Sequence, residues 1–341
     1  MVKTAIVILN WNGKKILSQY LPILIQNTQN TDTEIIIADN DSKDDSIAFL
    51  HSNYPQLRQI ILDKNYGFAG GYNRALNQIE AKYFVLLNSD VEVTPNWLNP
   101  LIDLLDSDPT IAAVMPKILS VKNKTEFEYA GAAGGFIDKY GYPFCRGRII
   151  GIVEIDTGQY NDQADVFWAT GACMVVRAQQ YKKQNGFDDD FFAHMEEIDL
   201  CWRLKNAGQR IVYCPNSSVY HIGGGTLPNN NPFKLYLNYR NNLYLLYKNL
   251  PEKKFLRTLI TRMFLDGVSA ILFLAKFSFP SFMAVLKAHF HFYKALSVLR
   301  KKRKIVFENT IITNHPEIYN GSIVVDYFIR KKKYFKDLTF K

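Results

Sequence analysis

Four short apolar runs in the first 120 residues limit what this chain can fold into more than any other feature. Thr4–Leu9 (TAIVIL), Glu34–Ala38 (EIIIA), Gln59–Leu62 (QIIL) and Tyr83–Leu87 (YFVLL) are rich in β-branched and aromatic residues and show little polar alternation. Between them lie segments of helical length, near 14–28, 44–52 and 70–81. Near-continuous apolar strands alternating with helices predict a mainly parallel sheet covered on both faces. Ligands of such open sheets bind beyond the carboxyl ends of the strands. The polar residues sit at those ends: Asn10-Trp11-Asn12-Gly13, Asp39-Asn40-Asp41-Ser42, Asp63-Lys64-Asn65-Tyr66-Gly67 and Asn88-Ser89-Asp90. Any one of these is ordinary turn chemistry, but four in succession at one edge favour a ligand cleft.

Further along, the organisation changes. Residues 125–170 are rich in glycine and aromatics without a clean period, which reads as loops and short antiparallel strands. A block over 171–225 reads as strand, helix, loop, helix, strand and loop, and aromatic-rich helices follow after 232. Charge divides the chain as well. Residues 231–341 hold 21 Lys and Arg against 6 Asp and Glu, whereas 1–230 hold 20 against 26. An acidic first part joined to a basic tail suggests two jobs. The four cysteines show no C-x-x-C spacing and follow no secretory leader, so reduced thiols in a cytosolic protein are expected.

The segments ILNWNG, IIIADNDSKDDS, NYGFAGGYNRAL, LLNSDVEV, GACMVVR, GFDDDFFAHMEEIDLCWR and YHIGGG occur in order over residues 4–225. As an ordered set they resemble the family 2 glycosyltransferases, especially the rhamnosyltransferase-like branch. That resemblance implies a GT-A fold, a Rossmann-like mixed and mainly parallel sheet flanked by helices, followed here by a C-terminal helical, membrane-associating extension. The implied organisation is a catalytic domain over 1–230 and the extension over 231–341. Within the first, 1–120 would bind the nucleotide sugar and 121–230 would hold the acceptor and the base. The implied reaction is inverting transfer of a single sugar from a nucleoside diphosphate donor, dTDP-rhamnose or a UDP-sugar. The acceptor would be a hydroxyl of a lipid-linked saccharide in cell-surface polysaccharide synthesis.

The chemistry asks for positive charge at the leaving diphosphate, usually Mg2+ or Mn2+, and for a carboxylate that takes the acceptor's proton. The resemblance puts Asp39 against the nucleoside base, although Asp39 also suits a turn or a helix cap. Asn10, Asn12 and Asp41 join it as donor-pocket candidates. In the loop running into a helix at Asn65–Asn73, close backbone approach and a helix N-terminus suit an anion; the resemblance places Asn73 in the lining of the donor pocket, which makes Gly71 and Asn73 donor-binding candidates. Asp90 matches the last acid of the family's D-x-D element and would bind the metal, while Asn88 replaces the first acid. His221 would complete the metal shell or meet the diphosphate. Of the acid pair Glu196-Glu197, the resemblance makes Glu197 the general base, with Glu196 the alternative, whereas Asp199 suits an ion pair with Arg203 four residues on. Asp188 would be structural or orient the acceptor. Arg240 would touch donor phosphate or pair at the surface.

Residues 263–299 are apolar enough to suggest a membrane, but Asp266, Lys276, Pro280 and Lys287 interrupt them. Neither half then reaches the roughly 20 apolar residues that a span needs, and two interfacial helices fit better, with the basic run 300–304 facing anionic lipid. A helical pair packed on the catalytic domain, or a homodimer interface, is the alternative. Basic runs without a recognisable nucleic-acid module argue against nucleic acid. The expected location is cytoplasmic, peripheral on the inner face of the cell membrane. Two other functions fit parts of the pattern: a sugar nucleotidyltransferase, which would share the sheet and its acidic strand end, and a catalytically impaired scaffold that binds nucleotide sugar.

Overall fold

A computed structural model describes residues 2–28, 31–223 and 231–340. The first part alternates as expected: β1 (Val2–Asn10), α1 (Lys14–Asn27), β2 (Thr33–Asp39), α2 (Ser46–Asn53), β3 (Arg58–Ile61), α3 (Gly67–Leu76) and β4 (Ala81–Leu87). Then come β5 (Val91–Val93), α4 (Asn99–Ser107) and β6 (Ile111–Ser120). The third helix starts three residues before the expected 70–81 stretch and ends earlier, because Gly67 turns into it at φ +71°. Ala5, Ile6, Val7, Ile36, Ile37, Phe84 and Val85 are all fully buried. Leu17, Leu21 and Leu24 of α1 belong to the same core.

Residues 125–170 form a second, small sheet from β7 (Gly135–Asp138), β8 (Pro143–Cys145), β9 (Arg148–Ile149) and β10 (Ile152–Val153). Next are β11 (Ala164–Asp165), β12 (Cys173–Arg177), α5 (Ala178–Lys183), α6 (Glu196–Asn206) and β13 (Arg210–His221). The large sheet runs β11-β13-β6-β12-β4-β1-β2-β3, with β5 paired to the end of β13. Strands β1, β2, β3 and β4 are parallel. β12 is antiparallel to both β4 and β6, and β13 is parallel to β6. It follows that β1, β2, β4, β6 and β13 all end at one edge, which brings Asn10, Asp39, Asn88 and His221 to the same side of the molecule.

The C-terminal part contains α7 (Pro232–Asn249), α8 (Glu252–Ala275), α9 (Phe279–Lys294), α10 (Leu296–Glu308), β14 (Ile318–Tyr319) and α11 (Ile323–Phe328). α7 packs on α6, α8, α9 and α10. β14 returns to the body and pairs with β7, completing the small sheet. Phe335 and Phe340 pack against Phe136, tilted and edge-on, with ring centroids 5.0 and 5.3 Å away. One expectation is corrected here. Asp266 does not interrupt the apolar stretch, because α8 runs unbroken for 24 residues and is long and apolar enough to cross a membrane by length and composition alone. The Asp266 carboxylate is buried, paired with Arg262 Nε at 2.7 Å and in contact with His289 Nε2 of α9 at 3.2 Å. The four cysteines are free and buried.

Candidate active site

At the carboxyl edge, the ends of β1 and β2 are stitched together by side chains. Asn10 lies in register with Asp39 and donates to its Oδ2 at 2.8 Å. Asp39 also accepts from the Ser42 backbone N–H at 2.8 Å. Both are fully buried. Asn12, at φ +51°, accepts from the Lys43 N–H at 2.6 Å, and Asp41, at φ +65°, pairs with Lys43 at 2.5 Å. These four candidates therefore form one preorganised patch, and the Asn10 Oδ1 stays buried without a hydrogen-bond partner.

The neighbouring loop into α3 is arranged differently from the expectation. Its first N–H groups do not offer an anion site: Gly67 donates to Asn65 Oδ1, and Phe68 and Ala69 donate to the Phe192 carbonyl at 2.7 and 3.1 Å. The cap is protein because the 190–195 loop folds directly over the helix end. Gly71 is required for packing, since a Cβ there would meet the Leu9 methyls at 2.9 Å and Asn40 Nδ2 at 3.0 Å. Asn73 uses its whole amide on the loop before α6. It donates to the Phe187 carbonyl and Asp189 Oδ1 and accepts from Tyr181 Oη and the Phe187 N–H.

Asp90 and His221 come together as the sequence suggested. Asp90 Oδ1 lies 3.1 Å from His221 Nε2, and Asn88 Nδ2 lies 3.5 Å from the same nitrogen. Behind the ring, Glu128 Oε2 stands 3.5 Å from His221 Nδ1, a residue that nothing in the sequence singled out. Gly223, at φ +68°, lets the chain pass Glu128, where a Cβ would approach Oε1 to 2.4 Å. Burial opposes charge on His221, but Asp90 and Glu128 outweigh it and push its pKa up to about 10. Among the described residues no cluster of three or more His, Cys, Asp and Glu is set to hold a metal by itself. At this distance Asp90 and His221 form a hydrogen-bonded ion pair, and they would become two protein donors to a divalent ion once the imidazole gives up its proton. Two protein donors plus donor phosphate oxygens fit such an ion. Gly224 and Gly225 of the YHIGGG segment lie outside the described residues.

Glu196 and Glu197 open α6, and the loop before them is strained. Phe192, His194 and Met195 have φ of +64°, +69° and +74°, values that cost non-glycine residues energy and persist only where surroundings enforce them. The enforcement comes from α7. Asn241 Nδ2 donates to the carbonyls of Phe191, Ala193 and His194 at 2.7–2.9 Å. Arg240 Nη2 donates to those of Asp190 and Phe191 at 2.8 and 3.0 Å. Arg240 thus serves this loop, and its other guanidinium contacts are Tyr236 and Asn241.

Burial raises both carboxyls of the pair. Glu196, the more enclosed, is raised well above the usual range by burial and then by the Glu197 charge, whereas Glu197 is raised to about 7. One oxygen of each, and His194 Nε2, are buried without a hydrogen-bond partner. Asp199 pairs with Arg203 at 2.8 Å and with Lys248 at 2.9 Å, as an internal ion pair. Asp188 is structural as well. It accepts from Lys248 at 2.5 Å and from Lys302 of α10, and these two ammoniums overcome burial to hold its pKa below the usual carboxylate range.

Known proteins similar to this chain identify its family and its fold. The profile of the family described as "Glycosyl transferase family 2" matches residues 5–178. An N-acetylglucosaminyl-diphospho-decaprenol L-rhamnosyltransferase of Mycobacterium tuberculosis is 26% identical over 202 residues, 55% of this chain and 66% of that protein. The rhamnosyltransferase WbbL of Escherichia coli K12 is 25% identical over 209 residues, 59% of this chain and 78% of its own. Among solved structures, GalNAc-T7 with UDP, GalNAc and Mn2+ superposes with a TM-score of 0.58 at 14% identity, covering 74% of this chain and 49% of that one. The mannosyltransferase PcManGT of Pyrobaculum calidifontis, with GDP-Man and Mn2+, gives 0.52 at 11%, covering 90% and 85%. At such identities the structural likeness speaks for the fold alone, which is GT-A. The family match covers half of the chain and every strand from β1 to β12, and on that ground the chain belongs to glycosyl transferase family 2.

Proposed function

We propose that the protein transfers one sugar, with inversion, from a nucleoside diphosphate sugar to a hydroxyl of a lipid-linked saccharide in cell-surface polysaccharide synthesis. The observation that carries this reading is the carboxyl edge itself. It holds the Asn10–Asp39 patch, the Asp90–His221 pair and a carboxylate at the start of α6 with a pKa near neutrality. Rhamnosyltransferases among the relatives make dTDP-rhamnose the first donor to try, with UDP-sugars second. The decaprenol-linked substrate in the name of the M. tuberculosis relative supports a lipid-linked acceptor.

In this mechanism Glu197 takes the proton from the acceptor hydroxyl. The oxygen attacks the anomeric carbon from the face opposite the diphosphate, the bond from that carbon to the diphosphate oxygen breaks, and the diphosphate leaves with the electron pair. A general base of this kind contributes about 10²–10⁴-fold. Glu196, holding its proton, keeps the pair from carrying two charges. Asp90 and His221 would hold a divalent cation, which supplies positive charge for the departing diphosphate. Asp39, fixed by Asn10 and Ser42, meets the nucleoside. The Asn241 and Arg240 clamp keeps the base loop rigid so that the carboxylate is placed before substrate arrives. The protein would work in the cytoplasm at the periphery of the membrane, where its acceptor is anchored.

The test is incubation with labelled sugar nucleotides, Mn2+ and a polyprenyl-diphosphate-linked acceptor. Transfer of label to the lipid fraction is expected. Donor binding without transfer from any donor would point instead to a nucleotide-sugar-binding scaffold.

A further inference from the structure

We propose that the far end of the α8–α9 hairpin, residues 271–283, inserts into a single leaflet of a lipid bilayer. This deepens the membrane-peripheral reading and rests on it. The segment reads ILFLAKFSFPSFM, with Lys276 its one charge. Ile271, Leu272, Leu274 and Phe279 are 47–66% exposed, and Phe277 is 96% exposed at a left-handed turn of φ +57° that holds its ring away from both helices. Apolar surface so extensive and uncovered marks an interaction site rather than a face toward water.

The direction of entry follows from how polarity is distributed along each helix. The outward face of α8 begins with exposed Lys253 and Arg257, then becomes Ile260, Phe264, Val268 and Ile271 up to the tip. The outward face of α9 begins at the tip with Phe279, Met283 and Leu286, and its first exposed charges, Lys287 and Lys294, follow toward the body. Both helices are therefore apolar at the tip and basic at the root. Tip-first entry satisfies this gradient, because the root lysines and arginine then stand at the level of anionic phosphates. Lys276 has a stem long enough to carry its ammonium back toward the headgroups.

Depth is limited by the way the hairpin is sealed. α9 returns alongside α8 and packs on α7. The Arg262–Asp266–His289 network ties the two helices together halfway along. Both roots therefore lie on one side, and α8 does not cross despite its length. From Phe279 to Leu286 is eight residues, about 12 Å at 1.5 Å per residue, against about 15 Å for the hydrocarbon of one leaflet.

Because the four native cysteines are buried, single cysteines can be labelled selectively. An environment-sensitive fluorophore placed at Phe277→Cys, Phe264→Cys, Phe290→Cys and, as a control on the body, Ile155→Cys is followed on adding phosphatidylcholine vesicles with and without phosphatidylglycerol. We expect a blue shift at 277 that is stronger with the anionic lipid, quenching there mainly by mid-chain doxyl lipid, shallower quenching at 264 and 290, and no change at 155. Equal shallow quenching at 264, 277 and 290 would mean that the hairpin lies flat and would overturn insertion. A shift at 277 without vesicles, together with a dimeric mass by light scattering, would assign the surface to a second copy and also overturn it. No sugar transfer enters this measurement, so its failure is separable from failure of the transferase reading.

Discussion

Replacing Glu197 by Gln tests the catalytic reading most directly, because geometry and acidity both enter. The substitution keeps the side-chain shape and removes the proton acceptor, so turnover should fall about 10²–10⁴-fold. Donor affinity should stay near that of the parent, since the proposed nucleotide patch at Asn10 and Asp39 belongs to β1 and β2 rather than to α6. Acidity adds a second signature. With a pKa raised by burial from 4.5 to about 7, the carboxylate is roughly half ionised at pH 7 and about one-tenth ionised a unit lower. The parent rate should climb with pH through neutrality and level off above it. Stability should move the other way. The folded protein holds this proton to higher pH than the unfolded chain does, so the contribution is full below about pH 4.5 and is lost as pH rises through about 7. At 1.36 kcal/mol per unit the ceiling is about 3 kcal/mol. The carboxylate is not wholly enclosed, so about 1–2 kcal/mol is the figure to expect. Glu197→Gln should remove that loss, so its unfolding midpoint in denaturant should change less between pH 5 and 8 than the parent's. The assay is release of nucleoside diphosphate with acceptor present, followed across pH 5.5–8.5. A parent rate that is flat between pH 6 and 8 would refute a base of this acidity, and a variant within tenfold of the parent would move the base to Glu196.

Three more outcomes follow from the same contacts. Glu128→Gln should weaken Mn2+ binding in the presence of nucleoside diphosphate by about 10–100-fold, as for other residues that orient a ligating histidine, read by electron paramagnetic resonance; unchanged affinity would leave Glu128 a packing residue. Asp39→Ala leaves the buried Asn10 amide and the Ser42 N–H without their acceptor; it should cost about 1–3 kcal/mol of stability and abolish the thermal shift that nucleotide produces. Arg240→Lys has one nitrogen to offer the Asp190 and Phe191 carbonyls and loses the Nε and Nη1 bonds to Asn241 and Tyr236 that aim the side chain; kcat should fall several-fold while the donor KM stays within twofold, and a KM effect alone would return Arg240 to the donor phosphate.

What could be read in the sequence divides along a physical line. The strand ends were legible because an apolar run stopping at Asn or Asp is a local pattern, and the sheet order then brings those ends together. Asp199 with Arg203 was legible for the same reason, as neighbours one helical turn apart. Asn73, Arg240 and Asp188 carry the right residue types, but their partners come from 50 to 116 positions away. Those contacts decide that they serve the base loop and the C-terminal helices. Glu128 had no signal, since its place behind His221 depends on the loop after β6 meeting the end of β13, 93 residues further on. The small sheet was legible only as loops and short antiparallel strands, because strands of two to four residues are too short to show their bounds or pairing. Asp266 looked like a break in α8, although its partner Arg262 stands one turn earlier on the same helix, because the packing of α9 and His289 that buries the pair is not a local pattern.

The return of β14 to pair with β7 bears on how the protein is made. Residues 318–340 are synthesised well after the strands they cover, and Tyr319, Phe335 and Phe340 supply rings that cover Phe136 and Phe144 of the small sheet. While the ribosome still holds the C-terminal stretch, the large sheet can close but the small one stands open, with its aromatic face bare. The nascent chain therefore passes through a stage in which the nucleotide half is finished and its neighbour is sticky. Chaperone binding is expected to concentrate at that stage, and stop codons placed shortly before Ile318 should yield protein that aggregates rather than a shorter soluble enzyme.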